Sequence, residues 1–107
     1  MTSGNGTTFG NVNYDNTVLS YPDVHIVNKW SSTVHGTINF NACSSNVYRI
    51  DSKGSKSFWR GFCLLVGIQG TDEHGNYCQS YYSPGTTYSH FEIIYDDNYD
   101  GCSIKRI

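Results

Sequence analysis

From Thr33 to Cys43 apolar and polar residues alternate one by one. Val34, Gly36, Ile38, Phe40 and Ala42 fall on one side, and Thr33, His35, Thr37, Asn39 and Asn41 on the other. A period of two sets one face of a β-strand on a core and the other in water. The same rhythm, in shorter pieces, runs along the chain. Strands are expected at 16–21, 24–28, 33–43, 46–51, 57–62, 63–69, 77–82, 89–95 and 102–107, separated by Gly, Pro, Asn, Asp and Ser clusters. Cys63 to Gln69 is the most apolar run. It is too short for a helix and Gly61, Gly67 and Gly70 interrupt it, so it reads as a central strand covered on both faces. Ser83-Pro84-Gly85 reads as a turn that ends the preceding strand. The expected fold is all-β: a small antiparallel two-sheet β-sandwich of eight or nine short strands. Its core is expected to hold Val24, Ile26, Val34, Ile38, Phe40, Ile50, Leu64, Val66, Ile68, Phe91 and Ile93. Residues 1–12, rich in Gly, Ser, Thr and Asn, read as a flexible tail before a single domain at 13–107.

A 107-residue chain has a limited core. Four cysteines, Cys43, Cys63, Cys78 and Cys102, offer a supplement. They lack the close C-x2-4-C spacing of a zinc site, so they read as two disulfides formed in an oxidising compartment. The favoured pairing is sequential, Cys43–Cys63 and Cys78–Cys102, although four cysteines allow three connectivities. The first eight residues hold no charged and apolar leader. A secreted chain whose leader has been removed is expected, and Asn5-Gly6-Thr7 then matches a glycosylation acceptor.

Seven Lys and Arg against nine Asp and Glu give a formal charge of −2, which supplies no basic field for phosphates. Nucleic acid is not an expected partner, and no apolar run is long enough to cross a membrane as a helix. Aromatic residues make up 15% of the chain, as many as all charged residues together. That content excludes a disordered chain.

Three constellations carry chemistry. Asp96-Asp97-Asn98-Tyr99-Asp100-Gly101 matches the opening of a calcium loop, with oxygen ligands at Asp96, Asn98 and Asp100 and a glycine for the sharp turn. The twelfth position is Ile107, not a bidentate Glu, so further ligands such as Asp72 or Glu73 would be needed. An Asx-rich turn explains the same residues. The histidines, His25, His35, His74 and His90, show no metal spacing. His35 or His90 with Glu92 is the best enzymatic arrangement, that of a small nuclease. In composition the chain is similar to the fungal guanyl-specific ribonucleases, but the catalytic order His, Glu, Arg, His of that family is missing, because the arginines are Arg49, Arg60 and Arg106.

The third constellation is aromatic. Tyr77 to Tyr88 holds four tyrosines among small polar residues, and Trp30 and Tyr99 sit at turns. Tyr and Trp join a large apolar face to a polar tip, the chemistry of a recognition surface. The expected function is therefore a secreted, non-enzymatic recognition module. It binds glycans or a cell-surface ligand through Trp30, Tyr81, Tyr82 and Tyr88, with calcium as an optional aid. The alternative is a small secreted toxin or effector that engages membranes or a host protein, because Trp and Tyr also favour the membrane interface.

Overall fold

The computed structural model describes residues 20–107. The predicted tail, the glycosylation motif and most of the strand expected at 16–21 lie outside the described residues. The rest forms eight strands: β1 (Val24–Asn28), β2 (Val34–Phe40), β3 (Cys43–Ile50), β4 (Ser55–Phe58), β5 (Leu65–Asp72), β6 (Tyr81–Thr86), β7 (His90–Asp96) and β8 (Gly101–Arg106). They make two four-stranded sheets, in the orders β4-β1-β7-β8 and β3-β2-β5-β6. All pairings are antiparallel except β1 with β7. The expected all-β two-sheet architecture is the observed one, with this one parallel pair added.

The inner faces carry the core. Val24 and Ile26 of β1, Phe91 and Ile93 of β7 and Ile104 of β8 meet Val34 and Ile38 of β2, Tyr48 and Ile50 of β3 and Leu65 and Ile68 of β5, all buried. Two sequence expectations fail here. The alternation read through to Cys43 stops at Phe40, because Asn41 and Ala42 form a two-residue hairpin turn that pairs Phe40 with Cys43. Ala42 has a φ of 59° and is exposed rather than inward. In β5 the buried leucine is Leu65, whereas Leu64 and Val66 are only half-buried. Asn39 pairs with Gly67 and Phe40 with Leu65, so Val66 is an extra residue, a bulge that switches the alternation.

The predicted strand at 77–82 is displaced. β6 begins at Tyr81 and runs through Ser83-Pro84-Gly85. Proline is tolerated because β6 is an edge strand with only β5 beside it. Residues 77–80 instead form a seam. Tyr77 bridges Thr71 of one sheet, and Gln79 bridges Ser103 of the other. The Gln79 N–H donates to the Cys102 carbonyl at 2.8 Å, and the Ile104 N–H donates to the Gln79 carbonyl at 3.0 Å. The Cys78–Cys102 disulfide reinforces this seam, and Cys43–Cys63 ties the β2–β3 turn to the segment before β5. The sequential pairing is thus the observed one. On the opposite side the sandwich is joined by the short β3–β4 corner, residues 51–54.

Candidate functional site

At the end of the sandwich where β1, β5 and β7 finish and β8 starts, the two sheets part around a cleft of about 700 Å³. Its walls are four aromatic rings, Trp30, Tyr77, Tyr95 and Tyr99, and its polar groups include the carboxylates of Asp72 and Asp100. Trp30 follows β1, Asp72 ends β5, Tyr95 is the last inward-facing residue of β7, and Tyr99 and Asp100 sit in the β7–β8 turn.

Trp30 is held from several sides. Asn28, fully buried, donates from Nδ2 to the carbonyls of Ser32 (2.9 Å) and Ile50 (3.0 Å), and its Oδ1 accepts the Trp30 N–H at 2.9 Å. The Ser52 hydroxyl donates to the Trp30 carbonyl at 2.6 Å. The indole N–H donates to Asp72 Oδ2 at 3.3 Å. The ring itself is half-buried against the core and lies parallel to Tyr95, with centroids 6.1 Å apart and planes 6° from parallel.

Asp72 is a buried carboxylate with its acceptors in use. Its Oδ1 accepts the N–H groups of His74 (2.9 Å) and Asn76 (3.0 Å), fixing the 72–76 turn. Burial pushes this carboxyl up, but the backbone donors and the Trp30 indole outweigh it and hold it below its ordinary range. Gly75, at a φ of 82°, supplies the left-handed residue the turn requires.

Tyr95 is 53% exposed, and its hydroxyl donates to Asp100 Oδ1 at 3.2 Å. The Asp100 carboxylate, through that bond and its charge, raises the phenol above its ordinary range. Asp100 adopts a φ of 57°, a conformation Asp tolerates. Tyr99 donates from its hydroxyl to the Tyr77 carbonyl at 2.9 Å, joining the β7–β8 turn to the seam. Tyr77 is 77% exposed and also borders a second depression of about 450 Å³, lined by His35, Thr37, Gln69, Thr71 and Ser80.

Of the four aromatic residues expected to bind a ligand, only Trp30 lines the cleft, and of the three expected metal ligands only Asp100 does. Tyr81 packs on Phe91 at 4.8 Å between centroids, and Tyr88 meets Phe91 at 5.7 Å with the Arg106 guanidinium 3.9 Å above its ring. Tyr82 is exposed on β6, where Gln69 Nε2 donates to its hydroxyl at 3.5 Å. These three do not converge with Trp30. Nor do the expected calcium ligands converge. Asp96 pairs with Lys105 at 2.7 Å and accepts the Asn98 N–H at 2.9 Å, while Asp100 turns to Tyr95. Among the described residues no group of three or more His, Cys, Asp or Glu side chains is placed to hold a metal. His35 borders the second depression. His90 stands beside His25, with ring centroids 6.4 Å apart, on the outer face of the first sheet.

Sequence reasoning missed Tyr95 and Asn28; it set Tyr77 in the aromatic segment and Asp72 as an added metal ligand without joining either to Trp30. A signal existed for Asp72: an acid at an inward position of β5, two residues beyond Gly70, needs partners. Nothing local marked Tyr95, which is one tyrosine among nine. No protein-family model, no curated protein and no solved structure matches the chain.

Proposed function

We propose that the protein is a secreted recognition module that binds glycans in the cleft between Trp30, Tyr77, Tyr95 and Tyr99. The observation that carries the reading is this cleft: aromatic faces set at an open end of a rigid sandwich, beside polar acceptors. The apolar faces of sugar rings stack on such aromatics, and the ring hydroxyls need acceptors of the kind the exposed Asp100 carboxylate provides. Tyr77 borders both depressions, so a chain of several sugars has a continuous path from the cleft toward Thr37 and Gln69. Two disulfides agree with an extracellular setting.

A glycan array probed with the wild-type protein and with Tyr77→Ala tests the reading. Discrete hits that weaken in the variant support it, and a blank array with a correctly folded protein removes it.

A second reading has its own observation. Trp59 and Phe62 are 70% and 60% exposed in the β4–β5 connection, at the end of the sandwich away from the cleft. Exposed Trp and Phe at one tip suit a membrane interface, as a toxin or effector would use it. Dye release from liposomes that is lost in Trp59→Ala/Phe62→Ala would favour that reading. No binding or release with neutral or anionic vesicles would dismiss it.

A further inference from the structure

We infer that the cleft selects sugars carrying a protonated amine, and that Asp100 is the group that recognises the ammonium. The inference rests on the reading of the cleft as a glycan site and specifies which glycan. Among the described residues, the cleft lining contains two carboxylates and no Lys, Arg or His. The neighbouring cations are engaged elsewhere: Lys29 pairs with Glu92 at 2.8 Å and Lys105 with Asp96 at 2.7 Å. An acidic sugar would meet only repulsion. An ammonium would meet the Asp100 carboxylate and the electron-rich faces of the surrounding rings, which attract cations.

The two carboxylates differ in what they can offer. Asp72 is buried and committed to the His74 and Asn76 N–H groups and the Trp30 indole. Asp100 is exposed at the rim and, among the described residues, engages a side chain through Oδ1 alone, by accepting from Tyr95. A carboxylate has about four acceptor positions, so Asp100 retains capacity for a charged donor. A charge-assisted bond there, with a flanking ring face, distinguishes an amino-hexose from its acetylated form, in which the nitrogen is a neutral amide.

The test uses titration calorimetry with a β-1,4-linked glucosamine tetramer and its fully N-acetylated counterpart. The proteins are the wild type, Asp100→Asn and Tyr77→Ala. Asn also tolerates the left-handed backbone at position 100, so Asp100→Asn is expected to keep its melting temperature. Wild type is expected to bind the free-amine tetramer about tenfold more tightly, with the margin shrinking as salt is added. Asp100→Asn is expected to lose that margin and bind both ligands alike, and Tyr77→Ala to weaken both. Equal binding by wild type, a preference for the acetylated tetramer, or a margin that survives in Asp100→Asn overturns the inference while the glycan reading stands. If neither tetramer binds and the array is blank, the glycan reading itself falls. Array hits without binding of either tetramer sink the inference alone.

Discussion

Two buried polar residues, Arg60 and Asp72, fix connections between strands, and each satisfies its groups differently. Arg60 is only 2% exposed and pairs with no carboxylate among the described residues. Its Nε donates to the Pro22 carbonyl and Nη1 to that of Thr86, both at 2.9 Å. Nη2 donates to the Thr87 and Tyr88 carbonyls and the Ser89 hydroxyl. One planar fork thus holds the β6–β7 connection against the segment before β1. Arg60→Ala leaves several carbonyls unpaired and is expected to cost roughly 3 kcal/mol, measured by urea unfolding. Arg60→Lys should recover only a small part, because an ammonium cannot span the same fork.

Asp72 makes a pH-dependent contribution instead. Its carboxyl is held below the ordinary range in the folded chain, so the folded state favours the ionised form. The stabilisation is complete above the unfolded value, about 3.9, and is lost as pH falls through the lower folded value. Wild type should therefore lose more melting temperature than Asp72→Asn between about pH 5 and pH 2. Equal losses would show that Asp72 is not a source of this dependence.

At the scale of the strands, the central pair β2–β5 depends on two glycines. Gly36 and Gly70 face each other in register. A Cβ on Gly36 would lie 1.9 Å from the Gln69 carbonyl oxygen, and one on Gly70 would lie 2.7 Å from the Tyr48 hydroxyl. That hydroxyl occupies the space beside Gly70 and donates to the Gln69 carbonyl at 2.8 Å. Burial raises the phenol well above its ordinary range, so it remains a donor. Gly36→Ala must push backbone apart and is expected to destabilise by about 3 kcal/mol or abolish folding. Tyr48→Phe removes only the donor and is expected to cost about 1 kcal/mol in the same unfolding assay.

The same strands show what a sequence can disclose. The inward row Val34, Ile38 and Phe40 was legible because period-two burial leaves its mark on residue type. The Val66 bulge was not, since an added residue changes pairing while leaving a run equally apolar. The pairing of β1 with β7 joins segments that are distant in sequence, and no local pattern encodes it. The site was illegible for the same reason. Trp30, Tyr77, Tyr95 and Tyr99 belong to separate connections and strand ends, so their convergence is a property of topology. Tyr81 and Tyr88 carry the same residue type as Tyr95 yet pack on Phe91.

Across the whole molecule, the two disulfides divide their tasks by position. Each closes a loop of similar length, with sequence separations of 20 and 24, so the chain-entropy model gives each about 3 kcal/mol. Their surroundings differ. Cys43 is exposed at the turn end, whereas Cys78 and Cys102 are both buried beneath the cleft seam. Cys102 lines the cleft, and Cys78 follows Tyr77 directly. Removing the Cys43–Cys63 bridge as a double Ala variant should lower stability by roughly that amount while ligand affinity stays near wild type. Removing Cys78–Cys102 should cost at least as much, because two buried sulfurs also leave a cavity. It should weaken binding as well, since the seam that positions Tyr77 opposite Tyr99 is then held by hydrogen bonds without a covalent tie. Mild reduction should open the exposed bridge first, so loss of stability is expected to precede loss of binding as reductant is raised. Unfolding curves and titrations on the same samples read the two losses separately. Binding that tracks stability identically in both variants would mean that the seam has no particular hold on the cleft.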